Sequence, residues 1–301
     1  MRFIRFLIAR LLWDNHSMLT MSPLRAAVLC LFLGCAAQAA GPTAPPASER
    51  APSPLLSGRT VADIWPVGEE RVYGFYLRGE RVGFQKAVRL PDDGGFVFRY
   101  ESEAVIPGGS GAGDEPISTR MSARYTCDGA AQPLKYEAQL WIESVELGDS
   151  RVEHKKVTCV FSNGYVQTAV ESDGRTMTSR ERIRPYTYLV DFGLPAQVSL
   201  PVGLRDFDLY DSELAIFFSP QTGGIYSARV RVEERRVAAS PDGSEKNAFL
   251  LSIDSTNFPR QYAVVDSRGV VYSYEAPSEE TRAVLESIRT AEPSGRSAGA
   301  S

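Results

Sequence analysis

Apolar and polar residues alternate along most of the chain. Tyr73, Phe75 and Leu77 form the first run, and a second follows across the turn at Arg78-Gly79. Further alternating runs lie at 96–100, 121–127, 136–142, 157–161, 166–170, 226–232, 249–253 and 262–275. A period of two is typical of strands that bury one face, and glycine near the bends suits tight turns. The pattern therefore predicts an antiparallel sheet that covers a core on one side.

Two segments depart from this period. Residues 186–214 mix prolines, glycines and large hydrophobic residues, and we expect a short helix, a crossover or a plug there. Near the C-terminus Ser278 can cap a helix, with an apolar face of Thr281, Val284, Leu285 and Ile288. The predicted fold is mainly β: a curved antiparallel sheet or open half-barrel of roughly ten strands, with an irregular or helical central insert and a C-terminal helix.

Residues 1–40 resemble an export signal. From Met21 a basic residue, a short apolar run and small residues follow the order of a secretory signal peptide. We expect Met18 or Met21 to be the true start, and an unusually long n-region from Met1 is the alternative. Ala37-Gln38-Ala39 fits ordinary signal peptidase, which would leave a soluble periplasmic protein. Leu33-Gly34-Cys35 resembles the end of a lipobox, in which a lipid on Cys35 would anchor the protein on the periplasmic side of a membrane. Both fates imply export.

The rest of the chain divides by composition. Residues 41–60, rich in Pro, Ala and Ser, form a predicted disordered linker, 61–290 a β-rich domain and 291–301 a disordered tail. The net charge of −4 argues against a nucleic-acid partner, which would favour a basic face. A basic cluster does occur at Arg175, Arg180, Arg182 and Arg184, and it is either a solvated strand face or a site for an anion or lipid headgroup.

Two cysteines, Cys127 and Cys159, lie in predicted strands of the exported part. A pair in an oxidising compartment predicts a disulfide, and two separate buried thiols are the alternative. No metal site is expected, because the exported part offers a single histidine to complete a ligand shell.

That histidine, His154, lies in a polar segment beside two lysines and does not resemble a catalytic base. The chain has no Gly-x-Ser-x-Gly elbow, His-Glu-x-x-His motif or phosphate loop. Loop carboxylates such as Asp206 and Asp208, or Asp211 and Glu213, are the remaining candidates for hydrolysis. We predict a protein that is not an enzyme and needs no cofactor.

Aromatic residues are frequent and offer another kind of site. They either pack the core or line an apolar groove for a lipid, an acyl chain or a hydrophobic peptide. The candidates are Trp141, Tyr186, Tyr188, Phe217 and Phe218, with Trp65 as a further aromatic.

Two stretches resemble known proteins. Residues 73–84 resemble the opening strand of uncharacterised exported bacterial β-sheet proteins and of domains that precede transglutaminase-like modules. Residues 259–271 are similar to the closing hairpin of those proteins and of LolA/LolB-like lipoprotein-carrier half-barrels. The resemblance implies a curved antiparallel sheet wrapped around a helix or plug, and it implies no catalytic residue.

The predicted function is that of a non-catalytic envelope protein whose curved sheet binds an apolar ligand or a partner protein. A purely structural or accessory envelope protein with a packed core is the alternative, followed by a hydrolase that uses His154 or the loop carboxylates.

Overall fold

The computed structural model describes residues 58–91, 95–107, 115–146, 149–191, 195–206 and 208–290. The predicted leader and tail, Cys35 and most of the linker lie outside these ranges. Within these ranges, two helices, α1 (Val61–Ile64) and α2 (Pro195–Gly203), and a 3-10 turn (Pro277–Glu279) accompany fifteen strands. The strands are β1 (Glu69–Leu77), β2 (Glu80–Leu90), β3 (Phe96–Ile106), β4 (Ile117–Cys127), β5 (Pro133–Glu146), β6 (Asp149–Ser162), β7 (Tyr165–Ser172), β8 (Arg175–Arg182), β9 (Thr187–Leu189), β10 (Ser212–Ser219), β11 (Gly224–Ala239), β12 (Glu245–Asp254), β13 (Gln261–Asp266), β14 (Val271–Ala276) and β15 (Thr281–Thr290).

All fifteen strands belong to one sheet, in the order β8-β7-β6-β5-β4-β3-β2-β1-β15-β14-β13-β12-β11-β10-β9. The first strand pairs with the last at the centre, and each arm continues as a meander. Neighbouring strands are antiparallel, except that β9 runs parallel to β10. The two end strands, β8 and β9, do not pair with each other, so the described sheet is not closed.

The alternating sequence pattern becomes an inner and an outer face. In β4 the inward positions include Met121, Ala123 and Tyr125, all buried, while the residues between them are exposed. The sheet curls so that its two arms meet across the interior. The rings of Phe161 on β6 and Phe218 on β10 meet edge to face, with their centroids 5.5 Å apart.

Helix α2 fills the space inside the curl. All nine of its residues are buried, and it packs against α1, β13 and β14. The approach to the β13–β14 turn is close: a methyl group at Gly269 would lie 2.5 Å from the Cα of Gly203 and 2.6 Å from the carbonyl oxygen of Ser199. Glycine at both places therefore permits backbone-to-backbone packing of α2 on the sheet.

The mainly β prediction is confirmed, but three details are wrong. The described sheet has fifteen strands rather than about ten. Residues 186–214 are not an insert, because their described part contributes β9, α2 and the start of β10 to the same sheet and core. The predicted C-terminal helix is β15, since the segment after Glu280 pairs with both β1 and β14.

Candidate functional site

The five aromatic residues predicted to line an apolar groove do not meet in one place. Trp141 is half-buried on the outer face of β5, and Tyr186 is exposed beside β9. Tyr188, Phe217 and Phe218 are buried inside the curl. The outer and inner residues therefore belong to different environments.

The interior beside α2 contains a small apolar cavity of about 20 Å³. It is lined by residues of α2 and of the adjacent strands, among them Val198, Val202, Ala215, Phe217, Val230 and Ile253. A space of this size holds about one water molecule, whereas ligand pockets usually measure several hundred Å³. This cavity does not hold an acyl chain.

A buried arginine on β1, Arg71, contacts an aromatic ring, a carboxylate and a backbone carbonyl. The Arg71 guanidinium lies 3.8 Å from the ring centroid of Trp65, its Nε donates to Glu69 at 2.8 Å and its Nη2 donates to the Ile64 carbonyl at 2.9 Å. A cation that stacks on an aromatic ring and pairs with a carboxylate is stabilised away from water. The contacts of Trp65 and Arg71 thus hold α1 against the start of β1.

His154 lies on the exposed outer face of β6. Its ring stacks on Trp141 at 5.1 Å, and it borders a polar groove of about 230 Å³ with Ser172 and Asp173. Within the described chain it makes no hydrogen bond to a nucleophile or a carboxylate, the arrangement that acyl transfer uses. Ser172 pairs with Lys155, so strand alternation directs its side chain to the face opposite His154.

The loop carboxylates are committed to nearby partners. Three of them pair with arginines: Asp206 with Arg59 at 2.8 Å, Asp208 with Arg235 at 2.9 Å and Glu213 with Arg205 at 2.5 Å. The fourth, Asp211, accepts a hydrogen bond from the backbone N–H of Asp208 at 2.6 Å. These contacts tie the segment after α2 to its surroundings and give the carboxylates a structural explanation.

Among the described residues no group of three His, Cys, Asp or Glu side chains is placed to hold a metal ion. No helix in the described ranges is long and apolar enough to cross a membrane.

The predicted disulfide is wrong. Cys127 and Cys159 are buried, unpaired thiols. Cys127 ends β4 and Cys159 lies on β6, with β5 between them, so their backbones are roughly two strand spacings or 10 Å apart. Disulfides require Cα atoms closer than about 7 Å. Burial raises the pKa of the Cys159 thiol to about 12 and that of Cys127 higher still.

These thiols should react only when the protein unfolds. We expect iodoacetamide without reductant to leave Cys127 and Cys159 unmodified in the native protein, because burial keeps the thiols protonated and inaccessible. In urea, still without reductant, both should be alkylated. Peptide mass spectrometry reads the result, and a peptide pair crosslinked through the two cysteines would contradict it.

The two arms of the sheet are joined by side chains, and we call this contact the seam. Its centre is Asp191, just after β9, whose carboxylate accepts hydrogen bonds from the Tyr136 hydroxyl on β5 and from Gln221 Nε2 at 3.2 Å. Its backbone N–H donates to Gln197 of α2 at 2.5 Å. Burial raises the pKa of Asp191 to about 6, although the hydrogen bonds from Tyr136 and Gln221 lower it. Sequence reasoning missed the seam, although an acidic residue after the apolar run 188–190 was a signal for it.

The opposite end of the sheet is open, and we call β8 the open edge. All eight of its residues are exposed, whereas Thr187, Tyr188 and Leu189 of β9 are buried. Three residues of the basic cluster of the sequence, Arg175, Arg180 and Arg182, lie on β8, and the fourth, Arg184, follows it. None of the four pairs with a carboxylate among the described residues, while arginines elsewhere commonly do. The open edge is thus an extended backbone with a net positive charge, since three arginines and one glutamate lie on β8.

The sequence matches no known family model and none of the curated proteins. Three solved structures share part of its shape. A β-barrel-like protein of the domain of unknown function DUF1849 from Brucella abortus has 8% identity and a TM-score of 0.49, with 76% of this chain and 99% of that one covered. A DUF1089 family protein from Pseudomonas aeruginosa has 16% identity and a TM-score of 0.29, over 67% and 89%. A protein with a YmcC-like fold from Bacteroides fragilis has 10% identity and a TM-score of 0.27, over 75% and 97%. Likenesses this loose transfer no function and do not test the resemblance to lipoprotein carriers, so the function rests on the residues of this chain.

Proposed function

We propose that this protein is an exported, non-catalytic component of a bacterial cell envelope that acts by binding a partner chain. The observation that carries the proposal is the filled interior. Helix α2 is buried along its whole length where a carrier would keep a pocket, and the cavity beside it has a volume of only about 20 Å³. Of the ligands predicted from the sequence, a partner protein on the outer surface is therefore favoured over an acyl chain inside.

Export is proposed from the leader alone. The segment from Met21 to Ala40 has the order of a secretory signal peptide, and both cleavage by signal peptidase and lipidation of Cys35 deliver the domain to the same side of the membrane. The following linker would then hold the sheet at some distance from the membrane or the cleavage site.

The non-catalytic part of the proposal is supported by the arrangement of the candidate groups. His154 stacks on Trp141 on an outer face, and three of the four loop carboxylates pair with arginines. A perturbed acid does exist at Asp191, but it is 1% exposed and serves the seam. Buried structural networks perturb pKa values as catalytic sites do.

Mass spectrometry of the protein purified from bacterial envelopes tests the proposal. We expect the native mass to equal the denatured mass, because no lipid is held non-covalently. A lipid on Cys35 would survive denaturation and is thereby distinguished from a bound ligand. We also expect chemical crosslinking in intact cells to attach a second protein to the domain.

A stoichiometric lipid that is lost on denaturation would overturn the partner-binding proposal. The variant Ala215→Leu locates such a ligand, because Ala215 is buried and lines the cavity beside α2, whereas all residues of the open edge are exposed. Loss of the ligand in this variant would place it inside the curl.

A further inference from the structure

Within the described part of the chain, the open edge has unpaired backbone groups at alternate residues. Asp173 and Gly174 both have positive φ, at 50° and 72°, which makes the β7–β8 connection a two-residue hairpin turn. The residues that flank such a turn, Ser172 and Arg175, exchange both of their backbone hydrogen bonds. The N–H of Ile183 donates to the Gly164 carbonyl at 2.9 Å. Like Arg175, Ile183 is odd-numbered, so the odd-numbered residues are the ones that bond toward the neighbouring strand.

The even-numbered residues of β8 therefore direct their N–H and C=O groups away from the sheet. These are Thr176, Thr178, Arg180 and Arg182. Another chain in an extended conformation can complete this ladder, which is the β-strand addition used in peptide recognition.

The side chains at these positions lie on the outer face. Arg182 pairs across the strands with Tyr165, and the Arg180 guanidinium lies 4.1 Å from the ring centroid of Tyr165. The one acidic residue of β8, Glu181, pairs with the buried Val166 and therefore lies on the inner face. On the outer side of the open edge, Arg180 and Arg182 thus pair with no carboxylate among the described residues, while Glu171, opposite Thr176, pairs with Lys156.

Charge at an exposed edge also discourages edge-to-edge aggregation. Lysine would serve that purpose, but β8 contains only arginine among basic residues, and the planar guanidinium fork matches a carboxylate through two hydrogen bonds. Alternate residues of a strand are spaced by about 6.6 Å, in β8 and in any strand added to it. An acidic residue at every second position of a partner would therefore lie opposite Arg180 and Arg182.

We propose that the open edge, β8, binds an extended acidic segment of a partner protein, which adds to the sheet as an outer strand with its carboxylates beside Arg180 and Arg182. This inference rests on the proposed partner-binding function and names the chemistry of the partner.

The test uses the full chain and a fluorescein-labelled octapeptide of alternating threonine and glutamate. We expect saturable binding by fluorescence anisotropy that weakens as salt is raised. Arg182→Glu should weaken binding by about fivefold or more, since a carboxylate pair becomes a like-charge contact. The matched control Arg229→Glu, an exposed position on β11, should bind the peptide as the wild type does.

The variant Thr178→Pro separates strand addition from general attraction. It removes one outward N–H while keeping the charge, and proline is tolerated on the solvent side of an edge strand. We expect it to lose peptide binding with unchanged circular dichroism. Hydrogen exchange on the wild type gives the same information without a variant: the peptide should protect the amides of Thr176, Thr178, Arg180 and Arg182.

Three results would overturn the inference: no peptide binding at low salt, equal binding by Thr178→Pro and the wild type without amide protection, or binding to phosphatidylglycerol vesicles in place of the peptide. The last would assign the arginines to a lipid surface. Each leaves the mass comparison above untouched, so failure of this inference is distinguishable from failure of the proposed function.

Discussion

A single methyl group at Gly269 is expected to destabilise the protein by about 3 kcal/mol or more. The added Cβ would lie 2.5 Å from the Cα of Gly203, 2.6 Å from the Ser199 carbonyl oxygen and 2.7 Å from the Gly203 nitrogen. All three atoms belong to backbone, so no side-chain rotation can relieve the contact. Helix α2 would have to move off β13 and β14, and the core around it would open.

Two further variants separate the contact from the backbone conformation. Gly269 has φ +79°, and Gly243 has φ +80° with no atom within 4 Å of the added Cβ. Gly243→Ala therefore carries the conformational cost alone, about 1–2 kcal/mol. Gly203→Ala carries a contact without the positive φ, because its Cβ would lie 2.7 Å from Ile64 and 2.8 Å from the Arg268 carbonyl.

The free energy of unfolding of the three variants is compared by urea titration, with tryptophan fluorescence as the signal. We expect Gly269→Ala to lose the most stability, Gly203→Ala less and Gly243→Ala the least. Equal losses at Gly269 and Gly243 would show that α2 does not pack against the turn as closely as described.

The sequence predicted the strands that bury one face. In β4 the inward residues alternate strictly with exposed ones, so local pattern and final environment agree. β8 could not be found in this way, because both of its faces are exposed and its sequence has no apolar side. Its existence depends on the turn at Asp173-Gly174 and on pairing with β7.

The last strand shows how tertiary context decides between two patterns. Thr281, Ala283 and Leu285 alternate inward as a strand, but Thr281, Leu285 and Ile288 also fit one face of a helix. The gap between β1 and β14 accepts a strand that completes two hydrogen-bonded ladders. The sequence alone does not show the stabilisation that pairing with both neighbouring strands contributes.

The open edge and the seam differ in how close their residues lie along the sequence. The arginines of the open edge are local in sequence, and they could be identified as a basic cluster although not as a sheet edge. The seam joins Tyr136, Asp191 and Gln221 across the fold, and no spacing rule connects them. The predicted disulfide failed for this reason as well, because spacing alone does not tell adjacent strands from next-nearest ones.

Replacing Asp191 with asparagine is expected to stabilise the protein above pH 7 and to have little effect at pH 4. Burial raises the pKa of Asp191 from 3.8 to about 6, so the folded protein holds this proton more tightly than the unfolded chain does. The free energy of unfolding should therefore fall as the pH rises through this interval, by about 3 kcal/mol from this group. Asparagine carries no charge and removes that dependence.

The geometry of the seam suits the replacement. One carboxylate oxygen, Oδ2, accepts from both Tyr136 and Gln221, and an asparagine Oδ1 can take its place. The other, Oδ1, has no hydrogen-bond partner among the described residues and can be replaced by the amide nitrogen. Asp242→Asn is the matched control: Asp242 is exposed, and hydrogen bonds from Ser244 lower its pKa to about 2, so its contribution is constant above pH 5.

Urea unfolding of the wild type and both variants between pH 4 and 8 measures these differences. The Asp191→Asn advantage should grow from pH 4 to pH 7, while the Asp242→Asn difference should stay flat between pH 5 and 8. A flat Asp191→Asn difference would mean that the carboxylate is solvated and that the arms separate easily at this point. A growing difference would mean that the seam is tightest when Asp191 is neutral, since an ion buried between the arms then opposes the contact that holds them together.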